Sequence, residues 1–481
     1  MQSNSFQYII FLFVVLLVMA ATSRMKNARW IVLLVSSYFF YFTWQPFYLV
    51  LLMFITGVGY FCGRRIGQEP DQGKKRFWMR TGVFTILAIL CFFKYYSAVN
   101  EAILSMMGVT GDPSALAGFR LLLPVGISFY TFQTLSYLFD VYNEVRTEEK
   151  HLGYFASYVG SFPQLLSGPI ERSEKFIDQL RAPFIFNWNE VVLGLRRIAL
   201  GIAKKMLVAD RLGMLIDPIY SDPSKADGGT LLFAATLYIF QIYYDFSSYT
   251  DIAIGSARVL RINLSENFNF PYFSKNITEY WRKWHMTLAN WLRDYVYNPI
   301  VLSGRKWGNA IVYVALFVTF IICGLWHGAH WNFVIFGALQ GIVLIAEAML
   351  AKKRKKAAKS KWRPLYMAVS WVLTFSFIIF CDIFIRVHST EDAMLVIGKI
   401  FSGIPHRAEL MVYIGSQNLY RVAFTLLLFG TMLVTEKWLT RLSKGEITKG
   451  PVVNMLVYAF MIAAVLMWGF WGKVNFVYFQ F

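Results

Sequence analysis

Charge is scarce in this sequence. Asp, Glu, Lys and Arg make up 16% of the 481 residues, against about a quarter in soluble domains. Cysteine is scarcer. Cys62, Cys91, Cys323 and Cys381 each lie in or beside an apolar run, and no CxxC occurs. That argues against a disulfide framework or a structural zinc site. There is no HExxH and no GxSxG, which argues against a helix-borne zinc hydrolase and a serine triad on a nucleophile elbow. Acidic residues are in deficit, 28 against 47 basic, for a net charge of +19. No repeat period is visible, so the two related halves common in transporters are missing. Nothing is low-complexity except a basic linker near 351–363.

What is plentiful is apolar. Hydrophobic residues are 57% and aromatics 18%, with a mean hydropathy of +0.47. Runs long enough to approach a bilayer span of about 20 residues recur near 7–22, 30–44, 47–63, 81–97, 119–142, 154–170, 191–208, 230–246, 309–326, 330–350, 364–386, 420–437 and 452–471. The expected fold is an all-α polytopic membrane protein, a single integral unit over 1–481. Some runs are too short or polar to span alone, so roughly eleven transmembrane helices plus re-entrant or interfacial helices are expected. The N-terminal run "QYIIFLFVVLLVMAA" is long for a signal h-region and lacks a basic n-region, so it reads as a retained helix. Basic residues gather in the short loops "TSRMKNAR", "GRRIGQEPDQGKKRFWMR" and "AKKRKKAAKSKWR". This is the positive-inside pattern and not a nucleic-acid surface. It places both termini on the extracytoplasmic side.

Several motifs put polar chemistry where lipid-facing residues would otherwise stand. "GLWHGAHWNF" (324–333) sets His327 and His330 between two apolar runs, with Gly324 and Gly328 marking a break. An ionisable group at that depth faces a protein interior or a wet cavity, and imidazole is the common base near neutral pH. A histidine bonded across helices for packing would look the same. His327 and His330 could share a metal, but no third ligand is evident, and no metal is expected. "NITEYWRKWHMTLANWLRDYVYNPI" (276–300) puts Trp281, Trp284, His285 and Trp291 on one helical face, with Arg282 and Lys283 largely opposite. An interfacial aromatic belt would account for the tryptophans but not for the histidine. "LPVGISFYTFQTLSYLFDVY" (123–142) carries Gln133 among hydroxyls. "SFPQLLSGPIER" (161–172) holds two prolines and cannot be a regular membrane helix. "QIYYDFSSYTDIAIG" (241–255) holds Asp245 and Asp251.

In this order, these motifs resemble the membrane-bound O-acyltransferase (MBOAT) family, in its bacterial AlgI-type branch of alginate and peptidoglycan O-acetyltransferase membrane subunits. The C-terminal "FVYFQF" also resembles that branch's ending. The resemblance implies a core over about 119–350, further helices over 364–471 and an extracytoplasmic aromatic tail over 473–481. Its two key histidines fall on His285 and His327. It implies a central pore with His327 near its waist, where His327 takes a proton from the acceptor hydroxyl and His285 polarises the thioester. Trp281, Trp284, Trp326, Asp245 and Gln133 are candidate pore-lining residues. Arg282 and Lys283 are candidates for the donor's phosphates, and Tyr478 for a transient acyl acceptor.

The activity so implied is O-acetylation of a cell-surface or exported polysaccharide. Acetyl-CoA serves as donor, no cofactor is bound, and an extracytoplasmic SGNH-type transferase is the partner. The location is the bacterial cytoplasmic membrane, with membrane lipid around the chain. Two alternatives stay open. One is D-alanyl transfer to teichoic acid, as in a sister branch. The other is a polysaccharide or lipid-linked sugar transporter.

Overall fold

The computed structural model describes residues 1–107, 123–387, 389–403, 407–447, 450–472 and 476. Among the described residues all regular structure is helical. Among the described residues, seven helices are long and apolar enough to cross a membrane: Tyr48–Gln68, Gln72–Tyr96, Asn309–His327, Trp331–Met349, Arg363–Arg386, Leu419–Lys444 and Pro451–Trp468. Phe6–Ala21 and Ala28–Phe42 are shorter apolar helices. The chain is an all-α multi-span membrane protein. Its polarity is inverted relative to a soluble fold: Phe84, Leu373, Leu427 and Val434 are exposed, while Lys204, Lys205, Asp245 and His285 are buried. Lipid tolerates that exposed apolar surface, and the polar groups find partners inside.

The chain groups into two compact units. One comprises Met1–Ile198 with Tyr249–Ser265, the other Ala199–Ser248 with Glu266–Phe481.

In the first unit, helix Ile127–Tyr142 buries nearly every residue. It can do so because its neighbour Tyr48–Gln68 carries glycine at the contact points. A Cβ at Gly59 would fall 2.2 Å from the Thr134 methyl, and one at Gly63 2.3 Å from the Tyr137 ring. Gly126 starts the helix at φ +80°, a conformation that favours glycine. After helix Leu152–Gly160 the chain leaves helical geometry through Pro163 and Pro169, as the two prolines require. This irregular stretch is buried, and several of its polar groups find partners within the protein. Phe162 N donates to Ser37 Oγ at 3.0 Å, and Tyr158 Oη donates to the Glu171 carbonyl at 2.9 Å. Arg197 and Asp251 form a buried ion pair at 2.7 Å.

In the second unit, Asn309–His327 and Trp331–Met349 form a tight hairpin. A Cβ at Gly324 would lie 2.3 Å from the Phe333 carbonyl, and one at Gly337 2.3 Å from that of Phe320. The two backbones therefore touch, as in small-residue helix contacts within membranes. Gly324 is thus a packing residue inside the helix, and the break comes later, at Gly328. A π-helical turn, Lys204–Ala209, buries two lysines side by side. Lys205 binds Asp245 at 2.6 Å and Asp210 at 2.8 Å, and Lys204 binds Glu436 at 2.6 Å.

Candidate active site

His285 does not sit on a continuous helical face. The segment splits into helices Ile277–Trp281 and Met286–Leu292, and His285 occupies the break at φ 40°, ψ 54°. That left-handed conformation costs a non-glycine residue of order 1–3 kcal/mol and persists only where the surroundings impose it. Here they do. The extended stretch around Asn267 runs against the break: Met286 N donates to the Asn267 carbonyl at 2.9 Å, and Asn269 N donates to that of Lys283 at 2.9 Å. The Asn267 side-chain oxygen accepts from Thr287 Oγ1 at 2.7 Å and Thr287 N at 3.2 Å. Spacing alone favours one amphipathic helix; these tertiary hydrogen bonds override it.

His285 is fully buried, edge-on to the Phe246 ring at 4.8 Å. Burial, with the nearby His327 imidazole adding to it, lowers its pKa to about 3. It is therefore neutral at every physiological pH, and it can position or polarise a group without becoming an imidazolium.

His327 is the last residue of Asn309–His327. It ends the helix rather than interrupting it midway, and Gly328, extended at φ −178°, carries the chain into a short turn. The Trp326 ring brings the two histidines together. It lies 4.8 Å from the His327 ring and 6.0 Å from the His285 ring, steeply inclined to both. Phe336 closes on His327 edge-on at 5.6 Å. His330, three residues on, is exposed.

The other expected residues fall into distinct places. Trp281 is buried, and its indole donates to Gln340 Oε1 at 3.0 Å. Trp284 is buried and stacks on Tyr280 at 5.6 Å. Asp245 is held by Lys205, one residue before the Phe246 that meets His285. Gln133 belongs to the other unit, where Tyr158 Oη and Ser136 Oγ donate to its carbonyl. Arg282 is exposed, and Lys283 is tied to Glu279 at 2.6 Å. Tyr478 lies outside the described residues. Among the described residues no three His, Cys, Asp or Glu side chains converge as a metal would need.

Three separated motifs, 243–246, 281–285 and 326–327, thus meet in an aromatic enclosure around two imidazoles. A buried base beside a buried neutral imidazole, walled by indoles and phenyl rings, suits proton removal from a hydroxyl with water kept out. The family model of the membrane-bound O-acyltransferases matches residues 33–389, which takes in all three motifs. The chain belongs to this family. It is an acyltransferase.

The chain is 35% identical over 402 residues to the probable alginate O-acetylase AlgI of Pseudomonas aeruginosa, covering 82% of this chain and 74% of that one. It is 32% identical over 394 residues to the peptidoglycan O-acetyltransferase of Helicobacter pylori, covering 76% and 72%. It is 28% identical over 270 residues to the teichoic acid D-alanyltransferase of Bacillus subtilis, covering 53% and 67%.

Sequence reasoning missed Asn267, Phe246 and Gln340. Asn267 had a weak signal, a polar residue in the "SENFNF" stretch just before the tryptophan-rich segment. Its role depends on a long-range pairing that no local pattern reveals.

Proposed function

We propose that this acyltransferase transfers acetyl groups from acetyl-CoA for O-acetylation of an exported or cell-surface polysaccharide. The observation that carries the reading is the pair of imidazoles meeting on Trp326, inside a chain whose relatives include an alginate O-acetylase and a peptidoglycan O-acetyltransferase. In this mechanism His327 accepts the proton of the attacking hydroxyl, the hydroxyl oxygen bonds to the acetyl carbon, and the coenzyme leaves as its thiol. Neutral His285 holds the carbonyl or the departing sulfur. The donor arrives from the cytoplasm and the acceptor from outside the bacterial cytoplasmic membrane. Tyr478 takes the acetyl transiently as a phenyl ester, and an extracytoplasmic SGNH-type transferase passes it to the polysaccharide.

Acetyl-labelled acetyl-CoA with the detergent-purified protein tests this, read by peptide mass spectrometry. Label on Tyr478 that disappears in both His327→Ala and Tyr478→Phe is the expected result. Release of coenzyme A without labelled protein removes the relay and leaves direct transfer. No turnover by a folded protein removes the acetyl-CoA reading. D-alanyl transfer, carried by the likeness to the B. subtilis enzyme, is then tested with a D-alanyl thioester donor.

A further inference from the structure

The end of helix Arg363–Arg386 is held by a side chain from the hairpin that carries His327. Asn332 is the second residue of Trp331–Met349 and is 1% exposed. Its Nδ2 donates to the Phe384 carbonyl at 2.8 Å and to the Val387 carbonyl at 2.9 Å. A helix leaves its last carbonyls without internal partners, and within a membrane protein such groups must be satisfied by protein. One amide group thus caps a neighbouring helix with both of its hydrogens. Two turns deeper the same two helices meet again. Gln340 reaches the Cys381 thiol and accepts from the Trp281 indole at 3.0 Å. The C-terminal half of Arg363–Arg386 is therefore a fixed reference for the hairpin.

What the Asn332 bonds hold is the turn after His327. Phe333, the next residue, meets that turn on both sides. A Cβ at Gly328 would fall 2.3 Å from the Phe333 ring, and one at Gly324 2.3 Å from the Phe333 carbonyl. Phe333 N donates to the His330 carbonyl at 3.1 Å. The Phe333 ring lies 6.4 Å from the His327 imidazole and nearly parallel to it, at 17°. These contacts leave no slack, so a shift of residues 332 and 333 carries one wall of the imidazole with it. Asn332 Oδ1, in contrast, is buried with no hydrogen-bond partner among the described residues. A buried acceptor left unmade costs stability. A leucine would avoid that cost but would bring no donors to the turn. Local losses of this kind mark functional sites, where the geometry they secure is used.

We propose that Asn332 is a positioning residue for His327. It ties the start of Trp331–Met349 to the end of Arg363–Arg386. Through Phe333 it fixes the glycine turn and the angle of the imidazole beside Trp326. That the held imidazole acts as the base rests on the function proposed above; its orientation by Asn332 does not. The role needs donors, of which an amide has two and a carboxylate none.

The test compares Asn332→Asp, nearly the same shape without the donors, with Asn332→Ala and with Asn332→Gln, which keeps the amide on a longer arm. The full chain, in phosphatidylcholine nanodiscs, is labelled with carbon-13 at histidine Cε1 and read by NMR. The His327 signal is assigned by its loss in His327→Gln. His151, in the other unit, is the reference. In N332D and N332A the His327 signal is expected to shift or broaden while that of His151 stays. Turnover of acetyl-CoA is expected to fall about tenfold to a hundredfold in kcat, with KM moved less than about twofold. N332Q recovers part of both. A His327 signal unmoved in folded N332D overturns the proposal, whatever the melting temperature, and leaves Asn332 a helix cap alone. A displaced signal with kcat intact overturns it too, since turnover then does not use the orientation. Should N332D and N332A fail to fold, N332Q decides by the same two readouts. No acetyl-CoA turnover by the folded parent chain would defeat the acetyltransferase reading, and the histidine signals alone would then decide the positioning.

Discussion

The two histidines are the same side chain mounted in opposite ways. His285 sits in a strained break between two short helices, clamped by the Asn267 stretch and sealed from solvent. His327 ends a regular helix beside a glycine turn and keeps 6% of its surface accessible. On the mechanism proposed above, the difference lets one residue type take two roles. A rigid, neutral, sealed imidazole cannot gain and lose a proton with a substrate, but it can hold a dipole in place. An imidazole at a helix end, next to a turn, is placed to exchange one.

Replacing each histidine by alanine sharpens that contrast most. His327→Ala is expected to lower turnover by roughly 10²–10⁴-fold, the ordinary worth of general base catalysis, with thermal stability nearly unchanged. His285→Ala is expected to lower turnover and melting temperature together, because it also empties a sealed space. Equal losses of stability in the two variants would break the distinction.

Asn267→Ala comes next. It deletes the acceptor for Thr287 and loosens the turn, at a cost of about 1–3 kcal/mol, with kcat falling and KM for the donor little moved. Asn267→Asp, which keeps the acceptor, should restore most of the activity. A KM effect with kcat intact would mean that Asn267 serves substrate binding instead.

Trp326→Phe keeps an aromatic wall between the imidazoles and is expected to retain most turnover, whereas Trp326→Leu should lose more. The same loss in both would show that the indole nitrogen, not the ring face, matters.

Smallest within any one pH unit is the pH dependence of stability. The folded pKa of His285 lies below the unfolded value of about 6.5, so the unfolded chain binds the proton first. Its contribution is complete above that value and declines as pH falls below it, by roughly 1.4 kcal/mol per pH unit. His285→Asn should flatten that slope in acid thermal denaturation.

Much of the site was legible along the chain. The tryptophan-rich segment and the "GLWHG" turn pointed to His285 and His327, because polar groups stand out against apolar runs. The helical class followed from run length and hydropathy, and the irregular backbone at 161–172 followed from its two prolines. Less legible were the buried lysines of "GIAKKMLVAD". Two adjacent lysines within the 191–208 run carry no local sign of Asp245 and Glu436, which the fold brings to them. The even helical spacing of 281–295 also concealed the break at His285, since propensity sees neighbours three and four residues away and not the Asn267 strand-like stretch.

By itself, then, the sequence determined a helical membrane protein, its basic loops, its family motifs and the two histidines. These depend on composition and short-range pattern, which the chain carries locally. Tertiary structure decided that His285 is left-handed and neutral, that Trp326 stands between the imidazoles, and that Lys283 is already paired with Glu279. Each of these depends on contacts between residues distant in the chain, where a few long-range hydrogen bonds and buried charges outweigh local preference.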